Sequence, residues 1–371
     1  MIDPTSLSAE WIAEKRKTYS KDPALMESMI HALYLLEKLT VTGLEFIFKG
    51  GTSLILLLDE PQRFSIDIDI IINPDLSKKQ LEGYLNQVVV DSMFIRVDLD
   101  EKRSYRDGIP KAHYKFIYTS KFANRNLEGI VISNPKREIL LDVLFAENPY
   151  PVLVKRPITT GWLMEQGDPV QVTTPDIHSI TGDKLTAFAP NTTGIPYKLQ
   201  KEKEIVKQLF DIGCLFDRIT HIEICRQSYL VSARAEMAYR PERTIESVDN
   251  VLQDTIRTAL LIARREILKS VEEKEQFAEI ETGIQQFRHF VFEGNFSVLD
   301  AQVAAAKAAY LAAMILKGYQ GEIFRFNPAI QLSDYMITHP DFNFLNKRLK
   351  FVAKGDSLFY WFQTIQFREL F

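Results

Sequence analysis

The sequence predicts an α/β fold: a sheet with flanking helices in the N-terminal half, followed by a mainly helical C-terminal half. Three observations carry this expectation. Short apolar runs bounded by Gly, Pro, Asn and Asp recur between Phe46 and Phe145. Helix-start signals stand before those runs, at Asp22-Pro23, and among them, at Ser77. From Leu215 onward, apolar residues return at helical spacing.

Taken in order, Asp22 caps a helix that Pro23 opens, with Leu25, Met29, Leu33 and Leu36 on one face. Gly43 stops it before a strand at Glu45 to Phe48. A second strand is expected over Ile66 to Ile72 and a helix, capped by Ser77, from Lys78 to about Val89. Strands follow over Phe94 to Leu99, Ala112 to Thr119 and Gly129 to Ser133. Tyr114, Phe116 and Tyr118 alternate with His113, Lys115 and Ile117, a half-buried pattern. Arg137 to Phe145 reads as a buried strand. Asn148 to Thr173 reads as an irregular crossover, rich in Pro, Gly and Thr. Thr174 is expected to cap the next helix and Pro175 to open it. We therefore divide the chain at 1–173 and 174–371. Beyond, Thr244 to Ser270 is amphipathic, and Ser297 caps an Ala-rich helix that Gly318 ends. Phe359 to Phe371 is strongly aromatic and must pack on something.

The stretch from Phe46 to Ile72 organises the chain. Gly50 and Gly51, lacking Cβ atoms, make a tight turn where backbone can approach a ligand closely. Thr52 or Ser53 is expected to cap the helix that follows, whose N-terminus points N–H groups at an anion-sized place. On the next strand Asp67 and Asp69 share one face, and Ile66, Ile68 and Ile70 share the other. Paired carboxylates beside a phosphate cradle suit Mg²⁺, which is held through one or two carboxylates plus substrate phosphates. Asp142 is a single acid in an apolar run, and a buried carboxylate is costly unless paired or metal-bound. Facing solvent or pairing with Arg137 are the alternatives for it. Between Arg96 and Arg125, Arg103, Arg106, Lys111, Lys115, Lys121 and Arg125 stand near Tyr105. This is either an ordinary solvated face or a track for an RNA backbone with an aromatic platform.

Lys49-Gly50-Gly51-Thr52-Ser53-Leu54, followed by Arg63-Phe64-Ser65-Ile66-Asp67-Ile68-Asp69, resembles the opening motif of the AbiEii/AbiGii toxin family. Those proteins are nucleotidyltransferases of the DNA polymerase β-like superfamily. The resemblance is strong over about the first 75 residues and patchy to about residue 215, with none beyond. It implies a polymerase β-like core with a mixed sheet, and two-metal transfer of an NMP from an NTP to an acceptor hydroxyl. It implies Asp67, Asp69 and Asp142 as ligands of Mg²⁺ or Mn²⁺. Lys49, Gly50, Gly51, Thr52, Ser53, Arg63, Ser65 and Asp211 would line the nucleotide site. It also implies Lys184 as the cation that neutralises triphosphate charge. Lys207 and Asp211 match the family's closing motif, but Gln208 stands where the family usually has Asp, and the usual Arg before this helix is not evident. A helix-surface ion pair between Lys207 and Asp211, four residues apart, is the alternative for that spacing. The implied setting is a cytoplasmic toxin with a separate cognate antitoxin and a tRNA or protein acceptor.

Composition narrows the alternatives. A net charge of −4 confines any nucleic-acid contact to a local basic patch. The two cysteines, Cys214 and Cys225, lack metal-ligand spacing and read as buried thiols in a reducing cytosol. The six histidines are scattered, which argues against zinc. Met1 to Ser20 does not read as a secretory signal, and Ala301 to Leu316, interrupted by Lys307, is expected to be too short to span a bilayer. A glycosyltransferase using Asp-x-Asp with Mn²⁺ and a catalytically idle NTP-binding scaffold are the rival classes. The Gly-Gly-led helix and the third acid weigh against the first; the intact Asp67, Asp69 and Asp142 weigh against the second, and Gln208 leaves it some room.

Overall fold

Strand-length apolar runs build a five-stranded mixed sheet in the computed structural model, which describes residues 1–58, 60–106, 108–122, 136–346 and 355–367. Its strands are β1 (Phe46–Lys49), β2 (Ile68–Ile72), β3 (Arg96–Leu99), β4 (Lys111–Thr119) and β5 (Lys136–Phe145), in the order β1-β2-β5-β4-β3. Only β2 and β5 run parallel; the other pairs are antiparallel. The expected strand at Gly129 to Ser133 and the basic residue Arg125 lie outside the described residues.

Local sequence explains the flanking helices. Helix α1 (Ala9–Tyr19) starts at Ser8, whose hydroxyl accepts from Trp11 N; the sequence pattern had not suggested it. Helix α2 (Pro23–Val41) opens on Pro23, with Asp22 accepting from Ala24 N, and Gly43 ends it at φ +81°. Helix α3 (Gly50–Leu57) follows β1 directly. Helix α4 (Lys78–Val90) carries a Ser77–Gln80 capping box. Helix α2 supplies core to the sheet. His31 stacks on Tyr118 of β4 with ring centroids 3.8 Å apart, and Ser28 bonds the Tyr118 hydroxyl. Burial drives the His31 pKa down to about 4 and pushes the Tyr118 phenol up to about 12. Ala112, Tyr114, Phe116 and Tyr118 are buried, so the intervening Lys111, His113 and Lys115 occupy the other face.

The crossover expected to be irregular contains a hairpin, β6 (Leu153–Pro157) with β7 (Gln171–Pro175). Strand β6 is largely exposed and sets Leu153 and Val154 side by side before Lys155 and Arg156, so no apolar alternation marked it. Thr174 and Pro175 belong to β7 rather than to a helix start. Asp176 is the cap of helix α5 (Ile177–Ala187), accepting from Ser179 N. Burial raises the Asp176 pKa, but hydrogen bonds from His178 and Ser179 outweigh it and leave the carboxyl below its ordinary range.

The chain divides into two compact units, residues 1–148 with 153–175, and residues 149–152 with 176–371. The second unit is helical: α5, α6 (Glu202–Phe216), α7 (Ile222–Ala238), α8 (Val248–Arg264), α9 (Val271–Phe287), α10 (Val298–Leu316) and α11 (Gly355–Ile365). Its core is organised on α10, which meets α6, α7, α8, α9 and α11. The alanines of α10 let five neighbours approach one helix. Counting its first turn, α10 is long and apolar enough to cross a membrane by length and composition, against the shorter reading from sequence. Yet 78% of that window is buried inside the fold, as a core helix requires. The amphipathic segment forms α8 only from Val248, because Ser247 caps it there. The aromatic tail packs: Leu358, Phe359, Tyr360 and Trp361 of α11 are buried. Residues 368–371, and Lys347, Arg348, Lys350 and Lys354, lie outside the described residues. Neither cysteine forms a disulfide; Cys225 is buried, which pushes its pKa up, whereas Cys214 is only half-buried.

Candidate active site

The first unit places a row of charged residues across the polar face of its sheet. Residues paired in register on neighbouring strands share a face. Lys49 on β1 pairs with Asp69 on β2, Asp69 with Asp142 on β5, and Asp142 with His113 on β4. Asp67 stands two residues ahead of Asp69, just before β2 begins, rather than inside the strand. Asp67, Asp69 and Asp142 are all half-buried.

The Gly-Gly turn is shaped around these acids. Gly50 has φ +77°, a left-handed conformation that L side chains rarely adopt. A Cβ there would also overlap the Asp69 carboxylate. A Cβ on Gly51 would run into the Arg63 guanidinium and come within 3.3 Å of Ser65 Oγ. The two glycines therefore leave space for an acid and an arginine, side by side.

Thr52 and Ser53 do not cap α3, as the sequence had suggested. Lys49 is the N-cap residue, and its side chain makes no capping hydrogen bond to the first turn. Thr52 Oγ1 instead donates to Ser65 Oγ at 2.8 Å and to the Asp67 carbonyl, while Ser53 Oγ donates back to the Gly50 carbonyl at 2.9 Å. Both hydroxyls are fully buried. Thr52 ties the loop carrying the acids to the helix, and Ser53 bonds within the helix's own first turn. Arg63 and Ser65 are buried in that loop, with Arg63 Nη1 donating to the Phe64 carbonyl at 2.9 Å.

Asp142 neither faces open solvent nor pairs with Arg137. His113 Nδ1 lies 2.5 Å from Asp142 Oδ1, while Arg137 Nη1 reaches the Ala24 carbonyl at 3.4 Å. His113 was missed as a site residue. The one available signal was its alternation with Tyr114 and Phe116, which puts it opposite the core.

In the second unit, Lys184 and Asp211 form an ion pair at 2.9 Å, and Lys184 Nζ also donates to Gln208 Oε1 at 3.0 Å. Lys184 is no surface lysine: its side chain is 8% exposed and that of Asp211 is 1%. Gln208, the departure from the family pattern, is thus a partner of the lysine. The alternative surface pair between Lys207 and Asp211 does not form; Lys207 pairs with Glu204 at 2.8 Å.

The basic run near Tyr105 is broken up. Lys115 pairs with Glu138 at 3.3 Å, and Arg106 donates to the Lys102 carbonyl. Tyr105, partly exposed at φ +52°, bonds Tyr114 through its hydroxyl at 2.9 Å and lies under Lys78 Nζ.

Hard carboxylate oxygens suit Mg²⁺ and Mn²⁺. Among the described residues, no group of three or more His, Cys, Asp or Glu is gathered closely enough to hold a metal. The registered Asp69–Asp142 pair, beside a turn that has space for the carboxylate only because residue 50 is glycine, fits an ion that takes its remaining ligands from substrate and water.

The family described as nucleotidyl transferase AbiEii toxin, type IV TA system, matches residues 35–297. The chain belongs to the AbiEii family. The match extends past residue 215, where the sequence resemblance had seemed to end, so AbiEii character continues through α6 to α9. AbiEii membership makes the chain a nucleotidyltransferase toxin and implies a separate antitoxin and an NTP substrate. No curated protein matches it.

Proposed function

We propose that this chain moves an NMP from an NTP to an acceptor hydroxyl, with tRNA as the acceptor. The observation that supports this most is the registered pair Asp69–Asp142 beside the Gly50-Gly51 turn. Asp67, Asp69 and Asp142 are the residues we assign to Mg²⁺ or Mn²⁺ in a two-metal reaction. The bound cations supply charge neutralisation at the phosphates and at the acceptor oxygen.

The chain's own residues do the rest. Gly50 and Gly51 let backbone donors come close to the β- and γ-phosphates. Lys49 stands at the head of the same turn. Thr52 and Ser65 hold the loop carrying the acids to α3 through buried hydroxyls, while Ser53 braces the first turn of α3 and Arg63 braces the loop. Asp142 serves the acceptor side, drawing on the hydroxyl proton. Lys184 gives two of its three N–H donors to Asp211 and Gln208, and we assign the third to triphosphate charge. The setting is a cytoplasmic toxin whose antitoxin is a separate protein, in a toxin–antitoxin or phage abortive-infection pair. NTP-dependent nucleotidylation of protein and non-catalytic NTP binding are the alternatives.

Label transfer decides among them. Purified protein, Mg²⁺, each α-labelled NTP and total bacterial tRNA or cell protein are incubated together, with Asp69→Ala as control. Label on RNA that disappears in the variant is the expected result. Label on protein instead changes the acceptor class. Transfer that survives in Asp69→Ala removes the mechanism.

A further inference from the structure

We propose that His113 is a positioning residue for Asp142, fixing that carboxylate so that it can receive a divalent cation. The proposal rests on the assignment of Asp142 to the metal. A carboxylate offers only acceptors, so Nδ1 of His113 must carry the proton in the 2.5 Å contact with Asp142 Oδ1. That contact engages one carboxylate oxygen and sets the plane of the other.

The ring is itself held. It sits on β4, directly opposite Asp142 in register, and its side chain is 14% exposed. The strand is pinned on both sides at this residue. His113 N donates to Ser104 Oγ at 2.8 Å, and the His113 carbonyl accepts from Asp100 N at 2.8 Å. A donor fixed in this way can orient a ligand that would otherwise turn about its own Cα–Cβ and Cβ–Cγ bonds. Partners of this kind, one bond removed from a metal, change metal affinity by about 10- to 100-fold when lost.

Two substitutions separate positioning from packing. His113→Phe keeps a ring of similar volume and removes the donor. His113→Asn places an N–H donor on Cγ, where Nδ1 stands, and loses most of the ring. Mn²⁺ is added alone to the full chain, and binding is read from the loss of the free-ion EPR signal, beside a thermal melt. Positioning requires Phe to weaken binding by about 10-fold or more and Asn to stay within about threefold of wild type.

Wild-type affinity in His113→Phe would overturn the proposal while leaving the metal assignment intact. Should the Phe variant melt early, Asn carries the test. Affinity lost in Asn as deeply as in His113→Ala means that packing, not the donor, matters, and this too overturns it. Asp142→Ala with unchanged Mn²⁺ binding, or a wild-type chain that takes up no Mn²⁺, overturns the metal assignment itself and the proposal with it.

Discussion

Replacing Asp211 by Ala should destabilise the second unit more than most single substitutions would. Asp211 lies on α6 and Lys184 on α5, and their ion pair is almost wholly enclosed. Truncating the acid leaves the Lys184 ammonium buried against the Gln208 amide oxygen. Breaking a buried pair in this way costs about 3–5 kcal/mol, because the remaining charge is uncompensated. The Gln208 bond and the flexible lysine stem pull the figure toward the lower end, about 3 kcal/mol. For a unit of this size that lowers the melting temperature by roughly 6–12 °C. Lys184→Met should cost a similar amount by stranding the acid. The double variant Lys184→Met/Asp211→Leu removes both charges and fills the space, so it should recover most of the loss. Calorimetry on wild type, both singles and the double closes the cycle. A drop under about 2 °C in Asp211→Ala, or a double variant no better than either single, would refute the reasoning, since the pair would then behave as if solvated.

Two further substitutions test other parts of the fold. Gly50→Ala combines a left-handed backbone, at about 1–2 kcal/mol, with a Cβ that must displace the Asp69 carboxylate. Nucleotidyl transfer should fall by about 100-fold or more, far beyond the modest fall in melting temperature; wild-type transfer would mean that Asp69 is not held where the turn demands. His31 is kept neutral by burial, with a pKa near 4 against an ordinary value of 6.5. Between those values the unfolded chain binds a proton that the fold refuses, so stability falls as pH drops from about 6.5 to 4, by at most about 3 kcal/mol. His31→Phe keeps a ring against Tyr118 and should flatten that acid limb in melts run from pH 7 to 4; an unchanged pH profile would show that other groups dominate.

What could be read ahead of the structure was local or periodic. The Gly-Gly turn and the Asp-x-Asp that follows lie within one loop of each other, and their meaning is carried by neighbours in the chain. Asp142 stood out because it interrupts an apolar strand, and β4 because Tyr114, Phe116 and Tyr118 alternate. What escaped needed pairing across distance. His113 acquires a role only once the β4–β5 register sets it opposite Asp142. Thr52 and Ser53 looked like caps because hydroxyls near a helix start usually are. Their bonds run instead to Ser65, to the Asp67 carbonyl and to Gly50. Thr174-Pro175 mimicked a helix start whose cap lay two residues before the real one, Asp176, because the signal for β7 lies in its partner strand and not in its own sequence. Lys184 was read as facing a ligand, and Gln208 as a loss. Only α5 and α6 packed together reveal them as bonded to each other.

The parallel pairing of β2 with β5 also has a consequence for synthesis. Asp67 and Asp69 leave the ribosome early, but Asp142 joins them only when β5 docks, after all of β3, β4 and α4 have been made. A nascent chain interrupted before Phe145 therefore carries the Gly-Gly turn and both leading acids with no strand to complete the row. The row of acids assigned to the proposed site is thus completed late, by a long-range contact between strands far apart in the chain.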